Sequence, residues 1–513
     1  MKVNRAVFAV VCAVSTAAFA DGVSSVDAMR YLQCRDGEIQ ILPALSVDEI
    51  PSGEVKGLEA AGGFVFDIEW RENRMTHMRI LSRDGGVCRI RSHAGIGSPI
   101  LRKAVKDCPN SAIVESKYEG TPPDMPESVF SRSKNPLSSA CYDFDTQKGE
   151  VIVLRGVSGN QDWTDYSKTL TTDILRSSEG ARIAQNVLDY QLDTGGWPKN
   201  VPMQDELTPR EREAVLAKKH DKKSGTIDNA ATFTEINFLV AMYKATGREE
   251  YLEGAKRGIA FLLYLQYPNG GWPQCDPAKV GYWHQITFND GAMVNVMKTL
   301  RDVYEMKGVF TDLDLGLELR KQCRKAFLKG LVCILKCQIV QNGKLTLWCQ
   351  QHDRETLAPC IGRAFELPAI CTHESAEILK LLMELDLEKY PPKFSRRVIR
   401  SIDEAMEWYR ANALKGIKVE RNWRRPDGVK TSRIVRVAED EAPLTWCRYY
   451  TLDDNRPFTG TRQSTMNFDF SELERGENMN YMWFNDKGTR LEKPYAQWCD
   501  THKAAFLKKT RKP

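Results

Sequence analysis

A short turn motif occurs three times in the chain at nearly constant spacing. Residues 191–198, Gln-Leu-Asp-Thr-Gly-Gly-Trp-Pro, are echoed at 266–273 by Gln-Tyr-Pro-Asn-Gly-Gly-Trp-Pro, and more weakly at 338–348. The tryptophans at 197, 272 and 348 are 75 and 76 residues apart, which is the length of a helix pair with its loops. Repeated helix pairs stack side by side and can close into a ring. The repeat therefore predicts a toroid of helices with equivalent loops at one end.

The repeated tryptophans have two interpretations. The Gly-Gly-Trp-Pro turns can border a cleft at the loop end of the toroid, together with the helix starts at Asp228 and Asp290. Alternatively, Trp197, Trp272 and Trp348 fill the seams between neighbouring helix pairs, which is what a large apolar side chain usually does.

Helical periodicity dominates from about Thr169 onward. After Asp228, apolar residues recur every three or four positions, and Gly247 predicts the end of that helix. The fold class expected is mainly α. The predicted helices are Ser177–Gln191, Thr232–Thr246, Glu249–Leu265, Ala292–Glu305, Leu317–Lys336, His373–Leu385 and Phe394–Ala413.

The N-terminal region has a different pattern. From about Gly37 to Arg91, apolar and polar residues alternate in short runs separated by turns, which predicts a small antiparallel β domain. Pro, Ser, Asn and charged residues then predict a linker. The expected divisions are residues 21–105 for the β domain, 106–140 for the linker, 141–500 for the helical domain and 501–513 for a solvated basic tail.

The first 20 residues have the features of a secretory signal peptide. Lys2 and Arg5 precede a short apolar run, and Ala18-Phe19-Ala20 supplies the small-x-small cleavage pattern. No later segment has the roughly 20 apolar residues of a membrane helix. The net charge of +5 on 513 residues does not favour nucleic acid as a partner. We expect a monomer that is secreted or periplasmic and has no membrane span.

Acidic and amide side chains precede two of the predicted helices. Asp228 and Asn229 lie at one helix start and Asp290 at another. Such residues often cap free backbone N–H groups. Two such starts can also supply oxygen ligands to one hard cation.

Seven motifs follow one another from residue 195 to residue 450. They are Gly195-Gly196-Trp197-Pro198-Lys199-Asn200, Thr226-Ile227-Asp228-Asn229-Ala230-Ala231-Thr232, Gly270-Gly271-Trp272-Pro273-Gln274, Thr287-Phe288-Asn289-Asp290, Trp348-Cys349-Gln350-Gln351-His352-Asp353, Arg363-Ala364-Phe365-Glu366-Leu367-Pro368 and Trp446-Cys447-Arg448-Tyr449-Tyr450. In this order they resemble polysaccharide lyase family 10, the pectate lyases, over about residues 165–490. The resemblance implies an (α/α)3 toroid and calcium-dependent β-elimination of polygalacturonate to 4,5-unsaturated oligogalacturonides.

The resemblance also implies roles for individual residues. Asp228, Asn229 and Asp290 are expected to bind Ca²⁺, and Lys199, Asn229 and Arg448 to bind the substrate. Arg363 is expected to be the catalytic arginine that removes the proton. The chain departs from the family pattern at Phe365, Cys447 and Tyr449. These departures concern the contacts with individual sugar units and not the reaction.

The chemistry of an arginine side chain allows more than one role for Arg363. A free guanidinium is protonated at neutral pH, so a base would need a neighbouring cation and desolvation to depress its pKa. Otherwise Arg363 stays charged and stabilises the enolate, or merely forms a helix-surface pair with Glu366. The neighbours His352 and Asp353 suggest a dyad, although a structural histidine is the simpler interpretation.

A second resemblance covers the N-terminal region. A Gln-x-Leu-Pro-Ala-Leu stretch, a Gly-Gly-Phe strand ending in Trp70, and Cys88-Arg89-Ile90-Arg91 are similar to the C-terminal β-sandwich of glycoside hydrolase family 95. It implies an accessory domain that is either structural or binds sugar.

Two other functions are compatible with the residues. A toroidal glycoside hydrolase would use Asp228 and Asp290 as its carboxylate pair. A catalytically silent protein would bind acidic glycan through Arg363, Arg448 and tryptophan side chains.

Overall fold

The computed structural model describes residues 32–35, 37–41, 52–71, 74–92, 96–105, 107–113, 141–156, 163–277, 279, 281–424, 430–439, 441–470 and 481–510. The expected signal peptide and most of the expected linker lie outside these residues. The chain divides into two compact units, one of Met1–Asp162 with Leu207–Ala214 and one of Trp163–Glu206 with Val215–Pro513.

The first unit is built from two five-stranded sheets. One has the order β1-β2-β6-β9-β8 and the other β3-β4-β5-β10-β7. Alternate side chains from both sheets are buried in one apolar cluster. The strands are β1 Leu32–Arg35, β2 Glu38–Ile41, β3 Ser52–Ala60, β4 Phe64–Arg71, β5 Arg74–Ser82, β6 Gly86–Ser92, β7 Ile96–Gly97, β8 Arg102–Lys103, β9 Cys141–Thr146 and β10 Val151–Gly156.

Two expectations about this unit need correction. The pairing is not wholly antiparallel, because β2 runs parallel to β6 with Ile39 opposite Ile90. The unit also does not end at residue 105, because β9 pairs with β6 and β10 with β5. These strands follow the expected linker, so the linker connects parts of one unit.

Helices dominate the second unit, and the mainly α, (α/α)3 fold is confirmed. Its helices are α1 Trp163–Ser167, α2 Thr172–Arg176, α3 Ser178–Tyr190, α4 Pro209–Leu216, which begins within the first unit, α5 Phe233–Thr246, α6 Glu249–Leu265, α7 Ala292–Glu305, α8 Leu317–Cys337, α9 Thr372–Met383, α10 Pro392–Ala411, α11 Lys487–Trp498 and α12 Ala504–Thr510. Pairs of consecutive helices, such as α5 with α6 and α7 with α8, pack against each other. None of the described helices is both long and apolar enough to cross a bilayer.

The seven predicted helices lie within a few residues of their expected bounds. Ser177 caps α3 by accepting a hydrogen bond from the Gly180 N–H. Gly247, with φ of 71°, ends α5 in the left-handed conformation that glycine adopts without strain. The C-terminal residues are not simply a solvated tail, because they include α12, whose Phe506 is buried in the core.

The repeated tryptophans fill the seams. The indole N–H groups of Trp197, Trp272 and Trp348 donate to backbone carbonyls of the preceding helices at 2.7, 2.8 and 2.7 Å. All three side chains are fully buried. Trp446 repeats the contact, 2.8 Å from the Tyr409 carbonyl. The tryptophans therefore hold helices together and do not line a cleft.

The strands in the loops of this unit were not predicted. Most are two residues long, and pairings this short carry no periodicity, but the longer hairpin of Ile417–Arg424 with Lys430–Arg436 was also missed. Some of the short pairings join loops that are distant in the chain, such as Ile286 with His352 and Ile370 with Tyr450. The strands are β11 Ile286–Thr287, β12 Val340–Gln341, β13 Lys344–Leu345, β14 Gln351–His352, β15 Ile370–Cys371, β16 Ile417–Arg424, β17 Lys430–Arg436, β18 Trp446–Cys447, β19 Tyr449–Tyr450, β20 Pro457–Gly460, β21 Met466–Asn467 and β22 Phe484–Asn485.

Candidate active site

Two similar turns bring acidic and amide side chains together. Asp228–Ala230 and Asn289–Gly291 each form a single 3₁₀ turn ahead of a helix, and the two turns pack against each other. The second residue of each turn is left-handed, with φ of 49° at Asn229 and 51° at Asp290. Asn and Asp tolerate this conformation better than other non-glycine residues. The turns are thus equivalent members of the repeat.

Neither turn uses its first side chain as a helix cap. Asp228 is 3% exposed, and its Oδ1 atom is buried without a hydrogen-bond partner. Its Oδ2 atom contacts Lys199 Nζ. The equivalent Asn289 is also buried with an unpartnered Oδ1 atom. Because leaving such oxygens buried and unpaired costs about 1–3 kcal/mol each, they indicate a site that binds a ligand.

Asp290 lies among several charges. The residue is partly exposed, and its carboxylate accepts a hydrogen bond of 2.7 Å from Asn289 Nδ2. Desolvation by the surrounding protein raises the pKa of Asp290, and the negative charges of Glu374 and Asp228 raise it further. Arg448 and Arg363 act in the opposite direction. Four charged side chains are therefore close enough to act on the carboxylate of Asp290.

Arg448 is held by a buried ion pair. It is 4% exposed, and its Nη2 atom donates to Glu374 Oε1 at 2.5 Å. Burial opposes both charges, but their mutual attraction keeps the pKa of Arg448 above and that of Glu374 below its ordinary value. The guanidinium lies over the Tyr481 ring, 4.4 Å from its centroid, and its Nε atom is unpartnered. Arg448 is thus a fixed cation with donor capacity to spare.

Breaking this pair should destabilise the protein strongly. Glu374→Ala leaves the Arg448 charge buried without compensation, and we expect the free energy of unfolding to fall by about 3–5 kcal/mol. Urea denaturation measures the loss. Glu492→Ala is the matched control, because its pair with Arg410 is half exposed and should contribute under about 1 kcal/mol. Equal effects of the two substitutions would contradict the role given to Glu374.

Arg363 lies on a loop and contacts Glu366. Its Nε atom donates to Glu366 Oε1 at 2.6 Å, and Nη2 also contacts that oxygen. The guanidinium lies 4.9 Å from the Phe365 ring centroid and 5.6 Å from that of Tyr481. Burial opposes its charge, but the hydrogen bond and charge of Glu366 outweigh burial and raise the pKa of Arg363. The depressed pKa expected for a base is therefore not found.

The oxygen donors of the site suit a hard cation. Asp228 and Asp290 supply carboxylates, and Asn229 donates through its Nδ2 atom to Asn200 at 2.8 Å, which leaves Oδ1 available. In the described part of the chain, no three His, Cys, Asp or Glu side chains converge as a complete metal site. Calcium takes six to eight oxygens and accepts waters and ligand carboxylates among them. The residues present therefore fit a calcium ion whose remaining ligands are waters or a bound carboxylate.

The predicted residues are brought together, and others join them. Asp228, Asn229, Asp290 and Lys199 lie at the paired turns, and the charges of Arg363 and Arg448 reach Asp290. Sequence reasoning missed Glu374 and Tyr481. Glu374 lies inside a predicted helix, where a buried acid could have been recognised only from its partner. Tyr481 lies outside the recognised motifs, so nothing in the sequence marked it as part of the site.

His352 is structural. It is fully buried, its Nδ1 atom is 2.8 Å from the Leu357 carbonyl, and its Nε2 atom accepts a hydrogen bond of 3.0 Å from the Cys349 N–H. Asp353 instead accepts hydrogen bonds from the N–H groups of Glu355 and Thr356. The two neighbours do not form a dyad.

Acid should destabilise the protein through His352. Burial lowers the pKa of His352 from 6.5 to about 4. Between pH 4 and pH 6.5, His352 is protonated in the unfolded chain but neutral in the folded protein. The free energy of unfolding therefore decreases as the pH falls from 6.5 towards 4, by up to roughly 3 kcal/mol from this group. Urea denaturation across this range compares wild type with His352→Gln, which should lack this part of the slope. Parallel curves for the two proteins would contradict the assignment.

Comparisons with known proteins agree with this geometry. A model of the pectic acid lyase family matches residues 191–492, and a model of the glycoside hydrolase family 95 C-terminal domain matches residues 33–119. No curated protein matches the chain. Among solved structures, the family 10 polysaccharide lyase from Cellvibrio cellulosa is 28% identical, with 66% of this chain and 95% of that chain covered and a TM-score of 0.52. A mutant of that enzyme in complex with trigalacturonic acid is 27% identical, with 66% and 96% covered and a TM-score of 0.52.

Fold and site together define a toroidal protein with acidic and basic side chains grouped at the paired turns. The chain belongs to the pectic acid lyase family, whose match covers more than half of it, and it is a polysaccharide lyase.

Proposed function

We propose that this protein is a pectate lyase, which cleaves polygalacturonate by calcium-dependent β-elimination and releases 4,5-unsaturated oligogalacturonides. The observation that carries the proposal is the grouping of Asp228, Asp290, Arg363 and Arg448 around one site with unpartnered buried oxygens. The trigalacturonic acid bound to a mutant of the Cellvibrio enzyme supports the choice of substrate.

The chemistry requires that a proton leave C5 of a galacturonate unit. The electron pair of that C–H bond forms the C4–C5 double bond, the bond from C4 to the leaving oxygen breaks, and that oxygen keeps the bonding pair and takes a proton from water. The negative carboxylate on C5 opposes this step, so the enzyme must neutralise it. Calcium, when bound by Asp228, Asn229 and Asp290, supplies a Lewis acid for that carboxylate.

Arg448 is suited to bind the sugar carboxylate. Glu374 and Tyr481 fix its guanidinium, so little side-chain entropy is lost when it binds. A guanidinium also matches a carboxylate with two parallel hydrogen bonds. Lys199 and Asn229 border Asp228 and extend the same binding surface.

Arg363 is the proposed catalytic residue. Its contact with Glu366 favours the charged form, which stabilises the enolate that forms as the proton leaves. In this role, water or hydroxide takes the proton. Removal of the proton by Arg363 itself would require the contact with Glu366 to loosen when substrate binds.

Residues 1–20 support export of the protein, and we propose that it acts as a secreted or periplasmic monomer on pectin outside the cytoplasm.

Product analysis tests the function. Wild-type protein with polygalacturonate and Ca²⁺ should give an ultraviolet absorbance from the 4,5-unsaturated product, and a chelator should remove the signal. New reducing ends without this absorbance would identify a hydrolase. Binding of polygalacturonate without any cleavage in added Ca²⁺ would identify a silent binding protein.

A further inference from the structure

The outer face of α8 (Leu317–Cys337) carries an unusual concentration of positive charge. Its inner face is buried in the core through residues such as Phe327 and Leu331. The helix contains six basic residues and one acidic residue, Glu318. Five of the basic residues are exposed and lie on the outer face: Lys321, Arg324, Lys325, Lys329 and Lys336.

These five cations line a surface recess of about 620 Å³. In the described part of the chain, none of them is paired with a carboxylate, whereas the exposed Arg400 and Arg410 on another helix are each paired with a glutamate. Unpaired cations that crowd together repel one another, which raises the energy of the free protein and favours an anionic ligand. The candidate active-site residues do not line this recess.

The spacing of the charges suits a chain with repeated carboxylates. Lys321, Lys325 and Lys329 are four residues apart, so they form a row with steps of roughly 6 Å along the helix. Leu328, Val332 and Pro268 line the recess beside the charged side chains, as does Asn269. Apolar contacts beside a row of cations match sugar rings that each carry a carboxylate.

We propose that this recess is a second, non-catalytic binding site for a galacturonan chain, which keeps the polymer on the enzyme between cleavages. The choice of galacturonan as the ligand rests on the proposed function. The site itself rests on the recess, the row of cations and the absence of acidic partners for them among the described residues.

A binding experiment with two matched variants tests this site. One variant replaces Lys321, Lys325 and Lys329 with Gln, and the control replaces the exposed and scattered Lys393, Lys493 and Lys508 with Gln. Affinity electrophoresis in polygalacturonate gels with chelator measures binding without turnover. Because three exposed ion pairs at roughly 0.5 kcal/mol each amount to about one factor of ten in affinity, the first variant should bind roughly tenfold more weakly. The control should change less than about twofold, and 0.5 M salt should remove the difference, since screening acts on exposed charges.

Turnover and competing polyanions complete the test. Cleavage of trigalacturonate should be unchanged in the first variant, because the three lysines do not belong to the candidate active site, and circular dichroism should show that the variant folds. Equal weakening in both variants would overturn the proposal. So would tighter binding to duplex DNA or to phosphatidylglycerol vesicles with the same dependence on the three lysines. Lysine-dependent binding without any unsaturated product from wild type would instead refute the proposed function and leave the site standing.

Discussion

Asp228→Ala should abolish most of the calcium-dependent cleavage of polygalacturonate. We expect kcat/KM to fall by roughly 10³-fold, because the substitution removes a buried oxygen that, in the proposed mechanism, binds the cation that neutralises the sugar carboxylate. The ultraviolet absorbance of the unsaturated product measures the loss. Raising the Ca²⁺ concentration should restore part of the activity, because Asp290 and Asn229 remain.

The same substitution should not damage the fold. Asp228 Oδ1 has no hydrogen-bond partner, and the Lys199 side chain that contacts Oδ2 is 40% exposed and can turn to solvent. The melting temperature without calcium should therefore stay the same or rise. Asp500→Ala, at an exposed position, is the control and should leave turnover unchanged. A loss of activity that follows a loss of stability would contradict the catalytic role of Asp228.

Arg363→Ala should lower kcat by roughly 10²–10³-fold with a smaller change in KM. The reason is that a charge stabilising only the enolate contributes to the transition state and not to the bound substrate. Arg363→Lys separates the two roles of the residue. If the charge alone matters, lysine should retain substantially more activity than alanine.

Glu366→Gln gives an independent measurement on the same residue. Glu366 raises the pKa of Arg363, so the neutral variant should make loss of the proton easier. If Arg363 is the base, the rise of kcat with pH should move to lower pH. If the pH profile of Glu366→Gln is unchanged and Arg363→Lys is still active, Arg363 acts by stabilising the enolate. Alanine and lysine variants with wild-type activity would remove Arg363 from catalysis altogether.

The sequence was informative where its pattern is local. The helices around Phe233 and Ala292 follow from apolar residues at helical spacing, and Gly247 follows from its conformational freedom. Asp228 and Asp290 were recognised because each precedes a helix. Their approach to each other follows from the repeat, which places equivalent helix starts at one end of the toroid.

Contacts between distant residues could not be predicted. An ion pair of Arg363 with Glu366 on a helix surface was one alternative for Arg363; the pair forms, but the segment is a loop and Glu366 is 3% exposed. The Tyr481 OH also donates to Glu366 Oε1 at 3.1 Å, across more than a hundred residues of chain. The pair of Glu374 and Arg448 was missed for the same reason. Charge partners in tertiary structure leave no periodic signal in sequence.

A crystal structure of the Arg363→Ala variant with Ca²⁺ and trigalacturonate tests the central claim most directly. We predict a cation about 2.3–2.6 Å from a carboxylate oxygen of Asp228, with Asp290 in the same coordination shell and a sugar carboxylate as a further ligand. Arg448 should contact the galacturonate. A cation bound elsewhere, or a sugar acid bound away from both turns, would contradict the proposed mechanism.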